Sequence, residues 1–180
     1  LVAFVLGRTV WGQEVKFELG IGERGVLRVA DESGKFNINQ VGAQGADGVL
    51  ARKMLARLFE YLVKQEPERA EVFKGAQAAI LRRLVLDPGK KDIKKDAGKA
   101  KPIPPLLTLD NLRQEGLPAE MVFPGAGEAK GGPQGTKTVL SDILTTFGPG
   151  TINLNTAPAA VLYALDEEID EELAARIVAR

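Results

Sequence analysis

The sequence predicts an α+β protein in which a helical block interrupts a domain built from strands and short helices. Three observations carry this expectation. Strand patterns crowd the front of the chain, two long apolar stripes at helical spacing occupy its middle, and one short motif occurs on either side of that middle. The predicted boundaries are 1–42 for the first part of the strand domain, 43–149 for the inserted helical block and 150–180 for the return.

The repeated motif is Gly34-Lys35-Phe36-Asn37-Ile38-Asn39 in its first copy and Gly150-Thr151-Ile152-Asn153-Leu154-Asn155 in its second. Asn is a poor strand former, so two of them at period 2 need another reason to be there. On an extended segment, Phe36 and Ile38, like Ile152 and Leu154, share one face and each Asn pair takes the other. Asn side chains bond readily to nearby backbone groups. Each copy therefore reads as a short strand whose polar face fastens an adjoining loop or helix start, in preference to a ligand site. If Asn155 caps its neighbouring backbone in this way, Asn155→Ala would cost ~1 kcal/mol.

Composition removes several functions. The 180 residues hold 24 Lys and Arg against 24 Asp and Glu, so no global basic field points to nucleic acid. Cys and His are both absent. Thiolate nucleophiles, Cys-based zinc sites and the ordinary hydrolase triad are therefore excluded. Leu1–Leu6 is apolar but far short of the ~20 residues of a membrane helix. The chain opens at Leu1 without a Met and ends in what reads as a helix. It is expected to be part of a longer one, with any anchoring segment upstream.

In order along the chain, Leu1–Leu6 and Val15–Leu19 read as strands, and Gly20–Gly25 as a turn into a strand over Val26–Ala30, which makes a hairpin. Asp31-Glu32-Ser33-Gly34 is a tight turn into the first Asn copy. Gln40–Gly48 is a Gly-rich boundary. Apolar residues at 50, 54, 55, 58, 59, 62 and 63 predict a helix closed by Pro67. A second helix is expected from about Arg69 to Leu86, with Val72, Phe73, Ala76, Ile80, Leu81, Leu84 and Val85 inward, stopped by Asp87-Pro88-Gly89. Lys90–Lys101 is a lysine-rich solvated loop. A short helix opens at Leu106–Leu112 with Thr108 as a candidate cap, and Pro124–Gly135 is a second loop. Val139–Phe147 is a short helix or turn. After the second Asn copy, Thr156 or Ala157 caps a helix carrying Val161, Leu162 and Leu165, and Pro158 suits its first turn. An acidic link, Asp166–Asp170, leads into a last helix with Leu173, Ile177 and Val178 inward and Glu171 and Glu172 at its positive end.

Asp31-Glu32-Ser33-Gly34-Lys35-Phe36-Asn37-Ile38-Asn39 resembles a signature of the type II secretion system protein K family, the large minor pseudopilin. Ile152-Asn153-Leu154-Asn155-Thr156-Ala157-Pro158, with Val161-Leu162 and Ala175-Arg176-Ile177, is similar to that family's second signature. Leu107–Leu112 before Gly116 resembles the segment between them. The signature residues are thus Asp31, Glu32, Gly34, Lys35, Asn37, Asn39, Asn153, Asn155, Thr156 and Pro158. The resemblance runs from about residue 17 to residue 180. It implies a pilin-like β-sheet domain with a large all-helical insertion, and a non-enzymatic subunit. That subunit would cap or initiate the pseudopilus tip in complex with the minor pseudopilins I and J. It further implies an inner-membrane protein whose soluble part faces the periplasm, anchored by an N-terminal hydrophobic helix that this sequence does not contain. Calcium can occupy the family's insertion. Asp87, Asp92 and Asp96 lie among lysines here and no EF-hand spacing occurs, so no metal ligand is assigned.

The rival is a helix-hairpin-helix nucleic-acid module, because Asn-Leu-Asn-Thr-Ala followed by two helices is similar to the tail of competence-type DNA-binding proteins. Such modules approach phosphates through a Gly-rich hairpin. Here Asp166–Glu172 holds six acids in seven positions and no Gly, which repels phosphate. No enzyme site is predicted. Asp31 and Glu32 face opposite ways on an extended segment, and Gly20-Ile21-Gly22 lacks the βαβ unit of a dinucleotide loop.

Overall fold

The computed structural model describes residues 14–19, 23–28, 31–85, 104–123 and 137–179. The strand expected over Leu1–Leu6, Trp11 and the loops Lys90–Lys101 and Pro124–Gly135 lie outside the described residues. The chain divides into two units, Leu1–Glu32 and Ser33–Arg180.

In the first unit β1 (Glu14–Leu19) pairs antiparallel with β2 (Glu23–Arg28), from Glu14 opposite Arg28 to Leu19 opposite Glu23. The predicted hairpin is present. Its second strand starts three residues earlier than the apolar run suggested, because backbone pairing continues through the polar residues Glu23 and Arg24.

The second unit is mainly helical. β3 is only Phe36–Asn37, and it runs parallel to β4 (Leu144–Thr145). A 3₁₀ turn over Ile38–Gly42 follows, with Asn37 at its cap. α1 (Gly45–Gln65) then crosses the unit, and a 3₁₀ turn at Pro67–Arg69 leads into α2 (Ala70–Leu84). The short helices α3 (Asn111–Gln114) and α4 (Ala119–Val122) come next. α5 (Ala159–Leu165) and α6 (Glu171–Val178) close the unit.

Both long helices follow from their apolar period. Ala51, Leu55, Leu58, Phe59 and Leu62 bury one stripe of α1, and Phe73, Ala76, Ile80 and Leu84 one stripe of α2. Phe59 and Phe73 meet edge-on, with centroids 6.5 Å apart and planes at 60°. Such a pair contributes about 1 kcal/mol beyond its buried area. Phe36, Ile38, Leu112, Leu144, Val161 and Leu162 enter the same core, so segments far apart in sequence share one apolar interior.

Several expectations are corrected. The second Asn copy is not a strand: residues 151–153 are irregular and 154–156 form a turn. Ile152 is half-buried while Leu154 is 56% exposed, so no common apolar face exists there. The first copy holds strand geometry for two residues only, since Asn39 lies in the 3₁₀ turn. Leu50, Val72 and Val85 point outward at the stripe edges, as do Leu173 and Val178 of α6, whose buried residue is Ala174. Over Val139–Phe147 the chain makes a 3₁₀ turn at Leu140–Asp142 and then β4. Thr108 does not cap α3: Asp110 holds the cap position, and Thr108 N–H donates to Asn111 Oδ1 at 3.2 Å. Pro158, not Thr156 or Ala157, occupies the cap position of α5, and its carbonyl accepts from Val161 and Leu162.

Candidate functional site

Within the second unit, Asn37 and Asn39 lie where the first Asn copy meets the 104–109 and 143–150 segments, and Gly34 lies where it meets Asn153 and Thr156. Asn37 is buried. Its amide donates to the carbonyls of Phe147 at 3.1 Å and Gly148 at 2.7 Å, while its Oδ1 accepts from Asn39 N–H at 3.0 Å. Gly148 has φ +86, which an L side chain rarely adopts, and this turn presents its carbonyl to Asn37. Asn39 joins three chain segments. Its Nδ2 donates to Leu106 O at 2.9 Å and Thr146 O at 3.2 Å, and its Oδ1 accepts from Leu106 N–H at 2.8 Å. An amide side chain can pair with a peptide group in both directions at once, which a carboxylate cannot. Phe36 N–H adds a bond to Ile143 O at 2.9 Å.

The second copy uses its Asn residues locally. Asn153 Oδ1 accepts from Asn155 N–H at 3.1 Å and from Asn155 Nδ2 at 3.4 Å. Thr156 N–H donates to Asn153 O at 3.2 Å. These bonds fold a tight turn ahead of α5.

The two copies meet at one point. Asn153 N–H donates to Ser33 O at 2.8 Å. Beside that bond Gly34 is buried so closely that a Cβ there would lie 2.6 Å from Thr156 O. The motif's glycine is required for this approach rather than for an unusual φ. Glu32 opens the 3₁₀ turn Glu32–Gly34, and Lys35 is half-buried. Asp31 and Glu32 belong to the first unit and Lys35 to the second. Pro158 stands at the cap of α5, one residue ahead of the first turn expected for it.

A second polar network was not visible in the sequence. Arg57 of α1 donates to the carbonyl of Tyr163 through Nε at 3.2 Å and Nη2 at 2.9 Å, and Nη2 also reaches Asp166 O at 2.9 Å and Ile169 O at 3.3 Å. It thereby satisfies carbonyls that the end of α5 leaves open. Its guanidinium also lies 4.4 Å from the centre of the Tyr163 ring. Lys64 sits 3.0 Å from Tyr163 Oη, 3.0 Å from Glu60 and 3.5 Å from Glu171. The hydrogen bonds with Tyr163 and Glu60 hold the Lys64 ammonium well above the usual lysine range, and the Lys64 bond lowers Glu60. Burial, then the Glu171 charge, raises Tyr61. Lys64 and Glu60 are an i,i+4 pair, but Tyr163 lies 99 positions from Lys64, so no local pattern announces that contact.

Glu66 and Arg69 form a third anchor. Glu66 Oε1 accepts from Thr138 N–H at 2.8 Å, Arg69 pairs with Glu66 and donates to Thr138 O at 2.9 Å. Burial alone would raise Glu66, but the bonds from Thr138 and Arg69 outweigh it and hold the carboxyl below its ordinary 4.5.

The chemistry of these sites is cohesive. The asparagines are uncharged, and the amide donors and acceptors of Asn37 and Asn39 are engaged with backbone. Among the described residues no buried side-chain polar atom lacks a partner and no group of three or more acids converges as a metal site. Asp87, Asp92 and Asp96 lie outside the described residues, so no ligand set for calcium is assigned. Among the described residues no helix is long and apolar enough to cross a membrane. The link between α5 and α6 turns exposed carboxylates outward at Asp166, Glu167 and Glu168, which gives the nucleic-acid reading no support.

Neither the comparison with curated proteins nor that with solved structures found a match. Residues 152–180, beginning at the second Asn copy and running through α5 and α6, match the family model described as type II secretion system (T2SS), protein K, which supports membership of the family that the paired motifs resemble.

Proposed function

We propose that this chain is a non-enzymatic minor pseudopilin that caps or initiates the pseudopilus tip of a type II secretion system, in complex with the minor pseudopilins I and J. The observation that carries the reading is the protein K match over residues 152–180, which supports a minor pseudopilin role in type II protein secretion. In the same reading the protein is held in the inner membrane by an N-terminal helix and its soluble part faces the periplasm. The pilin-like domain comprises 1–42 and 150–180, with 43–149 inserted between them.

An insertion must return to the place where it left. The bond from Asn153 N–H to Ser33 O and the approach of Gly34 to Thr156 support this scheme, since they join a segment ahead of the block to one that follows it. A tip subunit works by shape and docking. The site chemistry suits such a subunit, since the neutral amides of Asn37 and Asn39 fix loops to one another.

The test is size-exclusion chromatography with light scattering on the chain alone and mixed with the soluble domains of minor pseudopilins I and J from the same system. A stoichiometric heterotrimer is expected. Separate elution of all three, with and without calcium, would overturn the tip assignment.

A further inference from the structure

The end of α5 lacks the residue that commonly closes a helix. A glycine in the left-handed region often caps such ends, and residues 151–180 contain no glycine. Asp166 follows α5 in extended geometry, at φ −148 and ψ 148. The carbonyls of the last turn are left for partners from elsewhere in the chain.

Three carbonyls converge on one nitrogen. Arg57 Nη2 lies 2.9 Å from Tyr163 O, 2.9 Å from Asp166 O and 3.3 Å from Ile169 O. A guanidinium Nη carries only two N–H donors, so the three oxygens surround it as they would a positive centre. Nε adds a bond to Tyr163 O at 3.2 Å, and the guanidinium carbon stands 4.4 Å from the centre of the Tyr163 ring. Asp166 O also accepts from Ile169 N–H at 3.2 Å, so the turn that carries two of the oxygens is closed on itself. Tyr163 is buried and Arg57 half-buried, and the negative end of the α5 dipole adds to the attraction for a cation.

We propose that the 163–169 turn is a cation site, built from three carbonyls and an aromatic face, whose ligand is a guanidinium supplied by Arg57 of the same chain. The ligand class follows from shape. An ammonium is a point charge that could sit among the carbonyls, but it lacks the second nitrogen that reaches Tyr163 O and the flat face that lies over a ring. Arg57 is thus a positioning residue, whose charge fixes where the chain leaves α5 and hence where α6 begins. The inference is independent of the tip assignment.

Arg57→Ala removes the atoms of one ethylguanidinium, so ethylguanidinium chloride is the probe. The readout is the carbonyl carbon shift of Tyr163, Asp166 and Ile169, which reports the three contacts directly. In Arg57→Ala these shifts are expected to leave their wild-type positions and to return saturably as ethylguanidinium is added. Ethylurea has the same shape without the charge and should return none of them. Ethylammonium should act about tenfold more weakly than ethylguanidinium. The wild-type chain, whose site is filled, should not respond.

No return with ethylguanidinium, an equal return with ethylurea or ethylammonium, or the same response from the wild type would overturn the proposal. If Arg57→Ala does not fold alone, the same three additives are compared during refolding from urea, followed by circular dichroism. Recovery with ethylguanidinium ahead of the other two supports the site, and recovery with none or with all equally refutes it.

Discussion

The two Asn copies carry one sequence pattern and hold two different structures. In the first, Phe36 and Ile38 are fully buried and the asparagines reach segments 67 to 111 positions away. In the second, Leu154 is exposed and the Asn153 side chain accepts from Asn155 two positions on, while it is the Asn153 backbone N–H that reaches Ser33. The difference is burial. Once apolar partners remove a segment from water, its polar side chains must find protein partners, and the available ones are the carbonyls of whatever loops pack beside it. Where the segment stays wet, the same side chains satisfy themselves locally and close a turn.

The comparison breaks most sharply at Asn39. Asn39→Ala leaves the N–H and carbonyl of Leu106 and the carbonyl of Thr146 without their partner, and is expected to cost ~3 kcal/mol. Urea denaturation of the variant checks this. Next is the point where the copies touch. A Cβ at Gly34 meets the backbone oxygen of Thr156, which cannot swing aside as a side chain would, so Gly34→Ala is expected to cost ~2 kcal/mol. A crystal structure of that variant should show the 153–156 turn displaced from Ser33.

Acid separates the regions by another route, because asparagine side chains do not titrate. Glu66 has a folded-state pKa below its ordinary 4.5, so it contributes stability that is present above about 4.5 and lost as the pH falls through the lower folded value. The loss should release Thr138, which leads toward β4 and hence the first copy. Melting temperatures measured from pH 6 to pH 3 should fall less steeply in Glu66→Gln than in the wild type. The smallest effect belongs to Asn155→Ala. Its side chain makes one long bond to Asn153 and caps no helix, so the cost is expected to stay within ~0.5 kcal/mol, below the ~1 kcal/mol that capping would imply.

What the sequence made legible follows the same division. The helices over 45–65 and 70–84 were readable because their apolar residues recur at helical spacing, and the hairpin because two strands flank a glycine-rich link. The fastening role of Asn37 and Asn39 was readable as a need for backbone partners, though the partners were not. Period 2 misled at the second copy because alternation marks a strand only where one face is buried, and Leu154 is 56% exposed. The grip of Arg57 on Tyr163, Asp166 and Ile169 left no trace in sequence. Its partners are carbonyls, which every residue possesses, and they come within reach only when α5 packs on α1.

The most direct measurement is native-state amide hydrogen exchange at Leu106 and Asn155. Each N–H donates to an Asn side chain, Leu106 to Asn39 and Asn155 to Asn153, so the two bonds are chemically alike. If the first copy joins distant segments of the core, the Leu106 amide should exchange only through global unfolding, while the Asn155 amide exchanges by local fluctuation. Equal protection of the two amides, or faster exchange at Leu106, would contradict the account.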